Sequence, residues 1–368
     1  MSPAAEIQFI AVVTAAACAL PGVFLVLRRS AMLSDAISHA VLPGIVIGFL
    51  VTHDLSSPWL VIGATATGVL AVVLIETLVG TRLVKTDAAI GLVFPVLFSI
   101  GVVLIAQYAQ DVHLDTDAVL LGDPAFAWIE RFEVGGRDLG PRSLWLMGTL
   151  LTINAAFIAV FYKELKLAAF DPALAATLGY RPRLLHYALM TLVAATCVGA
   201  FDVVGSVLVV ALIVAPPAAA YLLTDRLPLL IGLAAGIGGG SALGGYGVSR
   251  ALDASIAGAM ASAAGVAFLL AFLFAPEYGL VSRMRRRSDQ RARLTVQMLT
   301  VHLLHHEQTP DAPRECTVSH LTDHLRWEPD HAQQAARAAT RRHFVTREGD
   351  RLRLTESGRE LAREAMVR

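Results

Sequence analysis

Long apolar runs alternate with short polar segments over the first three quarters of the chain. A run of about 20 apolar residues is long enough to cross a bilayer as a helix. Nine such runs are predicted as spanning helices, at residues 7–27, 37–52, 58–80, 88–108, 143–162, 184–202, 205–223, 228–247 and 252–275. Because short or interrupted runs need not cross completely, the pattern indicates an all-α polytopic membrane protein with eight or nine crossings.

The last quarter has the shorter apolar periodicity of a water-soluble domain. Helices are predicted around residues 294–304, 318–325 and 335–339, followed by strand, turn, strand and helix over 344–362. The predicted organisation is therefore a transmembrane domain at 1–280, a basic linker at 281–292 and a small α+β domain at 293–368.

The composition indicates that the first part of the chain lies in a bilayer and the last part in water. Hydrophobic residues make up 55% of the chain and charged residues only 16%, whereas soluble domains carry about a quarter. The net charge of zero is a sum over unlike parts, since residues 277–368 hold 17 Arg and 13 Asp or Glu. A net charge of +4 in that tail is weak for phosphate binding and argues against a DNA-binding role.

The sequence contains neither a nucleotide-binding loop nor a cysteine pattern that predicts a disulfide framework. The three cysteines form no CxxC pair, and no lysine stands in the GxxxxGK[ST] pattern of a phosphate-binding loop. The chain is therefore expected not to be an enzyme, and any ATP that drives it must be bound by another subunit.

Basic residues between the predicted spans give the orientation. They collect on one side if the spans alternate, and that side is expected to be the cytoplasm. This places the N-terminus outside and the tail inside. The opposite side receives the loop 109–142 with Asp111, Asp115, Asp117 and Asp123.

The segment SDAISHAVLPG, residues 34–44, carries the main candidate site. Asp35, His39 and Pro43 are spaced i, i+4, i+8 and would share one face of a helix. A carboxylate and an imidazole one turn apart can bind the same divalent cation. Pro43 lacks an N–H and would free the His39 carbonyl to face a polar pathway. The alternative is that Asp35 pairs with the arginines at 28 and 29 near the headgroups.

This segment resembles the membrane permeases of ATP-binding-cassette (ABC) importers for manganese, zinc and iron. Two further stretches are similar to the family, VGSVLVVALIVAPPAAAYLLTDRL at 204–227 and FAPEYGL at 274–280. A second proline stands at 217 where the family usually has alanine. The resemblance covers about residues 5–285 and implies a type II importer permease in which Asp35 and His39 are the transmembrane metal ligands.

The resemblance also implies the cargo and the partners. The cargo would be a divalent transition metal, Mn²⁺ favoured and Zn²⁺ or Fe²⁺ as alternatives, with no permanently bound cofactor. The partners would be a second permease copy or a closely related subunit, a cytoplasmic ATPase and an extracytoplasmic metal-binding protein. The location would be the inner membrane of a bacterial cell.

Other residues are candidates for the translocation pathway. Pro216 and Pro217 lie in mid-span and would release two helical carbonyls toward a cavity, although a simple proline kink explains them equally well. Asp202, just before this span, is either a gate residue or a helix-end carboxylate.

A glycine ladder at Gly232, Gly236, Gly240 and Gly244 predicts close approach of a neighbouring helix.

The segment at about 170–179, between two spans, suggests a short self-capped helix on the cytoplasmic side. Asp171 suits the N-cap, Pro172 the first helical position and Gly179 the C′ position. Together with Phe170, these residues resemble the coupling helix by which ABC permeases contact the ATPase. A connecting loop with one helical turn is the alternative.

The tail resembles the winged helix of the metal-dependent repressors related to the diphtheria toxin repressor, best over LTESGRELA at 354–362. Seven of the eleven histidines lie in the tail. His320 and His324 are spaced i, i+4, with Cys316 four residues earlier, which suggests a regulatory metal site. The alternative is a set of solvated surface histidines.

Two other functions remain alternatives to an importer permease. One is a membrane-tethered metal-sensing regulator that uses the tail, and the other is a vitamin or siderophore permease that needs no Asp35–His39 pair.

Overall fold

The computed structural model describes residues 2–53, 57–108, 124–134 and 137–367. The chain divides into two compact units, Met1–Gly279 and Leu280–Arg368, and each is described by itself. The residues Asp111, Asp115, Asp117 and Asp123 of the predicted extracytoplasmic loop lie outside the described residues.

The first unit is almost entirely helical. In chain order its elements are α1 (Pro3–Leu27), α2 (Met32–Ala40), α3 (Leu42–Thr52), α4 (Pro58–Gly80), α5 (Thr86–Tyr108), β1 (Arg131–Val134), β2 (Arg137–Pro141), α6 (Arg142–Val160), α7 (Tyr162–Phe170), α8 (Pro172–Thr177), α9 (Pro182–Val204), α10 (Ser206–Leu223), α11 (Leu227–Leu252) and α12 (Ile256–Phe274). The strands β1 and β2 form an antiparallel pair.

Nine helical segments in the described residues are long and apolar enough to cross a membrane. This confirms the nine predicted segments. Apolar runs of this length are predictive because a spanning helix must be as long as the bilayer core is thick. The second segment differs most from its prediction. It begins at Met32 rather than residue 37 and consists of α2 and α3 in succession.

The break between α2 and α3 falls at Val41, two residues before Pro43. A proline cannot donate to the preceding turn and restricts the residue before it, so α3 starts afresh with Pro43 in its first turn. The hydroxyl of Thr67 in α4 lies 3.4 Å from the carbonyl oxygen of Val41. A neighbouring helix thereby covers a backbone group at the break.

Helix α1 is the centre of the first unit and packs against α6, α9, α10 and α11. Its closest approach is at Gly22, where an added Cβ would overlap the carbonyl oxygen of Ile213 in α10 and touch the ring of Pro217. Ile213 is the residue whose carbonyl Pro217 deprives of its helical donor. The freed carbonyl therefore lies against the bare backbone of α1.

A buried amide links three spanning helices. Asn154 of α6 is 1% exposed and donates hydrogen bonds to the Ala17 carbonyl of α1, at 3.0 Å, and to the Thr196 hydroxyl of α9, at 2.9 Å. Polar side chains buried among membrane helices commonly hold neighbouring helices together in this way.

The glycine ladder of α11 does not meet a neighbouring helix in the part of the chain that the structure describes. A Cβ added at Gly232, Gly236, Gly240 or Gly244 would have no described atom within 4 Å beyond its own helix. The close contacts of α11 come from other glycines, with Gly238 beside Ala15 and Gly245 against Met260. The predicted close packing at the ladder was wrong for the single chain, because α1 and α12 cover the other faces of α11.

The second unit contains α13 (Leu280–His306), α14 (Ala312–Glu315), α15 (Val318–His324), α16 (Pro329–Arg341), β3 (Val345–Glu348), β4 (Arg351–Leu354) and α17 (Glu356–Val367). The predicted strand, turn, strand and helix are confirmed, with β3 and β4 antiparallel and Gly349 at a φ of +65° in the turn. The segment 281–292, predicted as a linker, is helical and forms the first part of α13. This unit has its own apolar core, built around Leu299, Leu303 and Leu321.

Candidate functional site

Asp35 and His39 lie one turn apart on α2, as the sequence predicts. The Nε2 atom of His39 is 3.6 Å from Oδ1 of Asp35, and the two side chains are 36% and 41% exposed, respectively. The other face of α2 is buried against the unit, including Leu33, Ile37 and Ala40. A pair of this kind offers one oxygen and one nitrogen to a divalent cation from two side chains that the single chain leaves partly exposed.

Two phenylalanines of α5 flank the imidazole. The ring centres of Phe94 and Phe98 lie 5.8 Å and 6.5 Å from that of His39. They restrict where the His39 ring can turn. The sequence does not single them out, because their i, i+4 spacing in an apolar helix is produced just as often by core packing.

The alternative for Asp35 was an ion pair with Arg28 or Arg29. Among the described residues no ion pair joins Asp35 to either arginine, and the ion-pair partner of Asp35 is His39. Burial lowers the pKa of the Arg28 guanidinium, and the carboxylate of Glu76 in α4 offsets part of that change. The alternative pairing of Asp35 is therefore not seen in the part of the chain that the structure describes.

Pro43 is buried in the first turn of α3, whereas Asp35 and His39 are partly exposed. Val41, where α2 ends and α3 begins, keeps right-handed helical φ and ψ values. The common face predicted for Asp35, His39 and Pro43 therefore stays a prediction. The candidate pair lies in the last two turns of the short helix α2.

Pro216 and Pro217 are buried within α10, which runs unbroken from Ser206 to Leu223. The carbonyl that Pro217 releases faces Gly22 of α1. The alternative given for these prolines was a simple kink, and their predicted role in the translocation pathway stays a prediction. Asp202 is exposed two residues before the end of α9, where Gly205 adopts a φ of +79°.

The short helix α8 has the caps that the sequence predicts. The Asp171 carboxylate accepts a hydrogen bond from the backbone N–H of Leu174 at 2.9 Å, and Pro172 begins the helix. Gly179 follows the C-cap with a φ of +86°. The N–H groups of residues 179 and 180 donate to the carbonyls of residues 176 and 175, which is the Schellman arrangement.

The surface of this segment is unusually apolar. Phe170, Leu174 and Leu178 are 64%, 45% and 61% exposed, and they are spaced by four residues. An exposed apolar patch bounded by polar groups is typical of a surface that another protein covers.

In the second unit, His320 and His324 lie together with two further histidines of α13, His302 and His306. His302, His306 and His324 present ring nitrogens within 4.8 Å of one another. Cys316 is not in this group of three. It lies in the apolar core of the unit, where burial raises the pKa of its thiol.

Comparisons with known proteins agree with the membrane architecture. The sequence pattern of the ABC 3 transport family matches residues 5–275. The zinc transport system membrane protein TroD of Treponema pallidum (strain Nichols) is 48% identical over 357 residues, 97% of each chain. The manganese transport system membrane protein MntD of Bacillus subtilis (strain 168) is 48% identical over 275 residues, 75% of this chain and 93% of that protein.

A solved structure has the same fold. PsaBC from Streptococcus pneumoniae in complex with Fab aligns with a TM-score of 0.62 and 27% identity, covering 76% of this chain and 94% of the matched chain. The relatives are membrane subunits of transport systems and not enzymes themselves. With its nine apolar helices and a family match over most of its length, the chain belongs to the ABC 3 transport family.

Proposed function

We propose that this chain is the membrane permease subunit of an ABC importer that moves a divalent transition metal into the cytoplasm. The proposal is carried by one observation, the partly exposed Asp35–His39 pair on one face of α2. Ionisable groups within membrane segments are costly and tend to mark ion pathways. The relatives named for zinc and manganese transport support a metal as the cargo. They favour the importer over a membrane-tethered regulator.

The site is completed by a second copy of the chain or by a closely related subunit. One carboxylate and one imidazole supply two ligands, whereas transition metals bind four or more. A partner that covers the exposed face of α2 would bring its own pair to the same ion. Two half-sites then form one site at the centre of a dimer, which opens to either side as the subunits move.

A mixed oxygen and nitrogen site accepts Mn²⁺, Fe²⁺ or Zn²⁺. We infer manganese as the favoured cargo from the sequence motifs, with zinc and iron as alternatives. The identity to TroD over 97% of both chains makes zinc the first alternative to test. The ion is cargo and not a resident cofactor.

The energy for movement would come from a separate cytoplasmic ATPase through the segment at 170–179. The exposed side chains of Phe170, Leu174 and Leu178 would insert into a groove of that ATPase. The caps formed by Asp171, Pro172 and Gly179 keep α8 rigid at both ends. Closure of the ATPase pair would therefore move α8 as a rigid element. Through its neighbours α7 and α9, this movement would change access to Asp35 and His39.

The remaining parts follow from this arrangement. The permease would lie in the inner membrane of a bacterial cell with the second unit in the cytoplasm, and a metal-binding protein would deliver the ion from outside. Asp202 is a candidate gate residue. We expect the second unit, in which helices are followed by a hairpin and a last helix, to be a winged-helix domain. Its net charge of +4 over 277–368 argues against DNA as its partner.

Metal uptake in a strain that lacks its own importer tests the proposal. Cells that produce this chain together with its ATPase and its binding protein should accumulate radioactive manganese or zinc, and cells without the chain should not. Equal accumulation in both strains would refute the importer. Competition between the two metals at equal concentration shows which of them is taken up preferentially.

A further inference from the structure

The four histidines at 302, 306, 320 and 324 form a compact group in the second unit, outside the residues that the transport family matches. Two come from the end of α13 and two from α15, each pair spaced i, i+4. All six distances between ring centres fall between 4.5 Å and 5.9 Å. Two helices thus bring two imidazole pairs together, and the ring nitrogens of His302, His306 and His324 lie within 4.8 Å of one another.

We propose that these histidines are a binding site for a zinc-class divalent ion, with His302, His306 and His324 as ligands and His320 as the fourth. The spacing agrees with this chemistry. With zinc–nitrogen bonds of about 2.0–2.1 Å, a tetrahedral four-imidazole site places the ring centres about 5 Å apart. The observed separations lie around that value.

Two ring nitrogens in the group have no other partner. Nε2 of His302 and Nδ1 of His320 are buried atoms without a hydrogen-bond partner among the described residues. Burying such a polar atom without a partner costs free energy, so native structures rarely contain one. A bound cation would satisfy both nitrogens at once.

A single residue, Glu315, contacts both of the proposed ligands from α13. Oε2 of Glu315 lies 2.8 Å from Nδ1 of His306, which leaves Nε2 of that ring to face an ion. The backbone of Glu315 also hydrogen-bonds to the His302 ring, and the Thr309 hydroxyl donates to the same carboxylate at 2.9 Å. Metal-binding histidines usually have an outer partner of this kind.

The ligand atoms of the proposed site favour some metals over others. It offers imidazole nitrogens, with Glu315 engaged at the outer side of His306, so it suits Zn²⁺ and Co²⁺ better than Mn²⁺. His302 is buried while His324 is exposed, so the site is closed by the protein on one side and open to an entering ion on the other. The cargo site at Asp35 and His39 contains an oxygen ligand and differs in this respect.

Cobalt titration of the metal-free full-length chain in detergent tests the proposal. Co²⁺ in a tetrahedral imidazole site has visible absorption that octahedral, oxygen-rich Co²⁺ lacks. We expect one equivalent of tetrahedral Co²⁺, displaced by Zn²⁺, in the unaltered chain and in Asp35→Asn. We expect its loss in His306→Ala and His324→Ala, and affinity weakened about 10- to 100-fold in Glu315→Gln.

Two controls separate ligand loss from misfolding. His331→Ala removes an exposed tail histidine outside the group and should leave the cobalt spectrum unchanged. His324→Cys replaces one ligand by another, and its complex should gain a sulfur-to-cobalt charge-transfer band. A tetrahedral spectrum that survives both His306→Ala and His324→Ala would overturn the proposal. The same holds if no tetrahedral cobalt forms on the unaltered chain, or if Asp35→Asn alone abolishes the signal.

Discussion

Nε2 of His39 lies 3.6 Å from Oδ1 of Asp35, and both side chains are partly exposed on one face of α2. The pair is too open to be a buried structural ion pair, and exposed ion pairs of this type stabilise a fold by only about 0–1 kcal/mol. Its position is therefore better explained by ion binding than by stability.

The aromatic neighbours of His39 should affect metal affinity. Phe94→Ala removes the ring that lies 5.8 Å from the imidazole, so His39 can adopt unproductive orientations. Since aromatic pairs contribute about 0.5–1.5 kcal/mol, we expect the metal concentration for half-maximal uptake to rise about 2- to 12-fold. Uptake measured against metal concentration gives this value. Phe272→Ala in α12, a ring that stacks on Phe268, should leave it unchanged.

Coupling to ATP hydrolysis should depend on Gly179. Its φ of +86° is in the left-handed region, where a β-branched residue costs roughly 1–2 kcal/mol or more. Gly179→Val should distort the end of α8, so that permease and ATPase assemble but ATP hydrolysis no longer drives uptake. ATPase activity and uptake are measured on the same reconstituted complex. Gly179→Asn, which tolerates this φ, is the matched control, and normal coupling in Gly179→Val would count against the role of α8.

The contact between Gly22 and Ile213 predicts a strong size limit in α1. Gly22→Val would force apart α1 and α10, because its Cβ would overlap the Ile213 carbonyl. Overpacking costs about 1–3 kcal/mol, so the thermal midpoint in detergent should fall. Gly232→Val, where an added Cβ has open space, gives the comparison. Equal midpoints for the two variants would show that this contact does not form.

The buried amide of Asn154 should contribute a measurable coupling to Thr196. Asn154→Ala and Thr196→Val each remove one partner of the 2.9 Å hydrogen bond. Because hydrogen bonds between membrane helices average about 0.6 kcal/mol in double-mutant cycles, we expect a coupling energy near that size. Unfolding of the two single variants and the double variant gives the cycle. Strict additivity would indicate that the hydrogen bond contributes nothing.

The sequence was sufficient for the nine spans and for the caps of α8, because apolar length and residues such as Asp171 and Gly179 act locally. It was insufficient where long-range packing decides the outcome. Periodicity alone predicted one helix through Pro43, but one helix ends and the next begins at Val41.

The contact between Pro217 and Gly22 and the grouping of the tail histidines also depend on long-range packing. Pro217 and Gly22 are 195 positions apart in sequence and meet only through helix packing, so no local pattern could predict that the freed carbonyl would be covered. The tail histidines behave similarly. The i, i+4 spacing identified His320 and His324, whereas the contribution of His302 and His306 required the packing of α13 against α15.

The most direct test of the central claim is metal uptake by cells that carry Asp35→Asn in place of the unaltered chain, at matched levels in the membrane. Asp253→Asn is the control, since it removes a carboxylate at the left-handed C-cap of α11, a conformation that asparagine tolerates. We expect uptake of manganese and zinc to fall to background in Asp35→Asn and to stay normal in Asp253→Asn. Normal uptake in Asp35→Asn would contradict the assignment of Asp35 and His39 as the transport site.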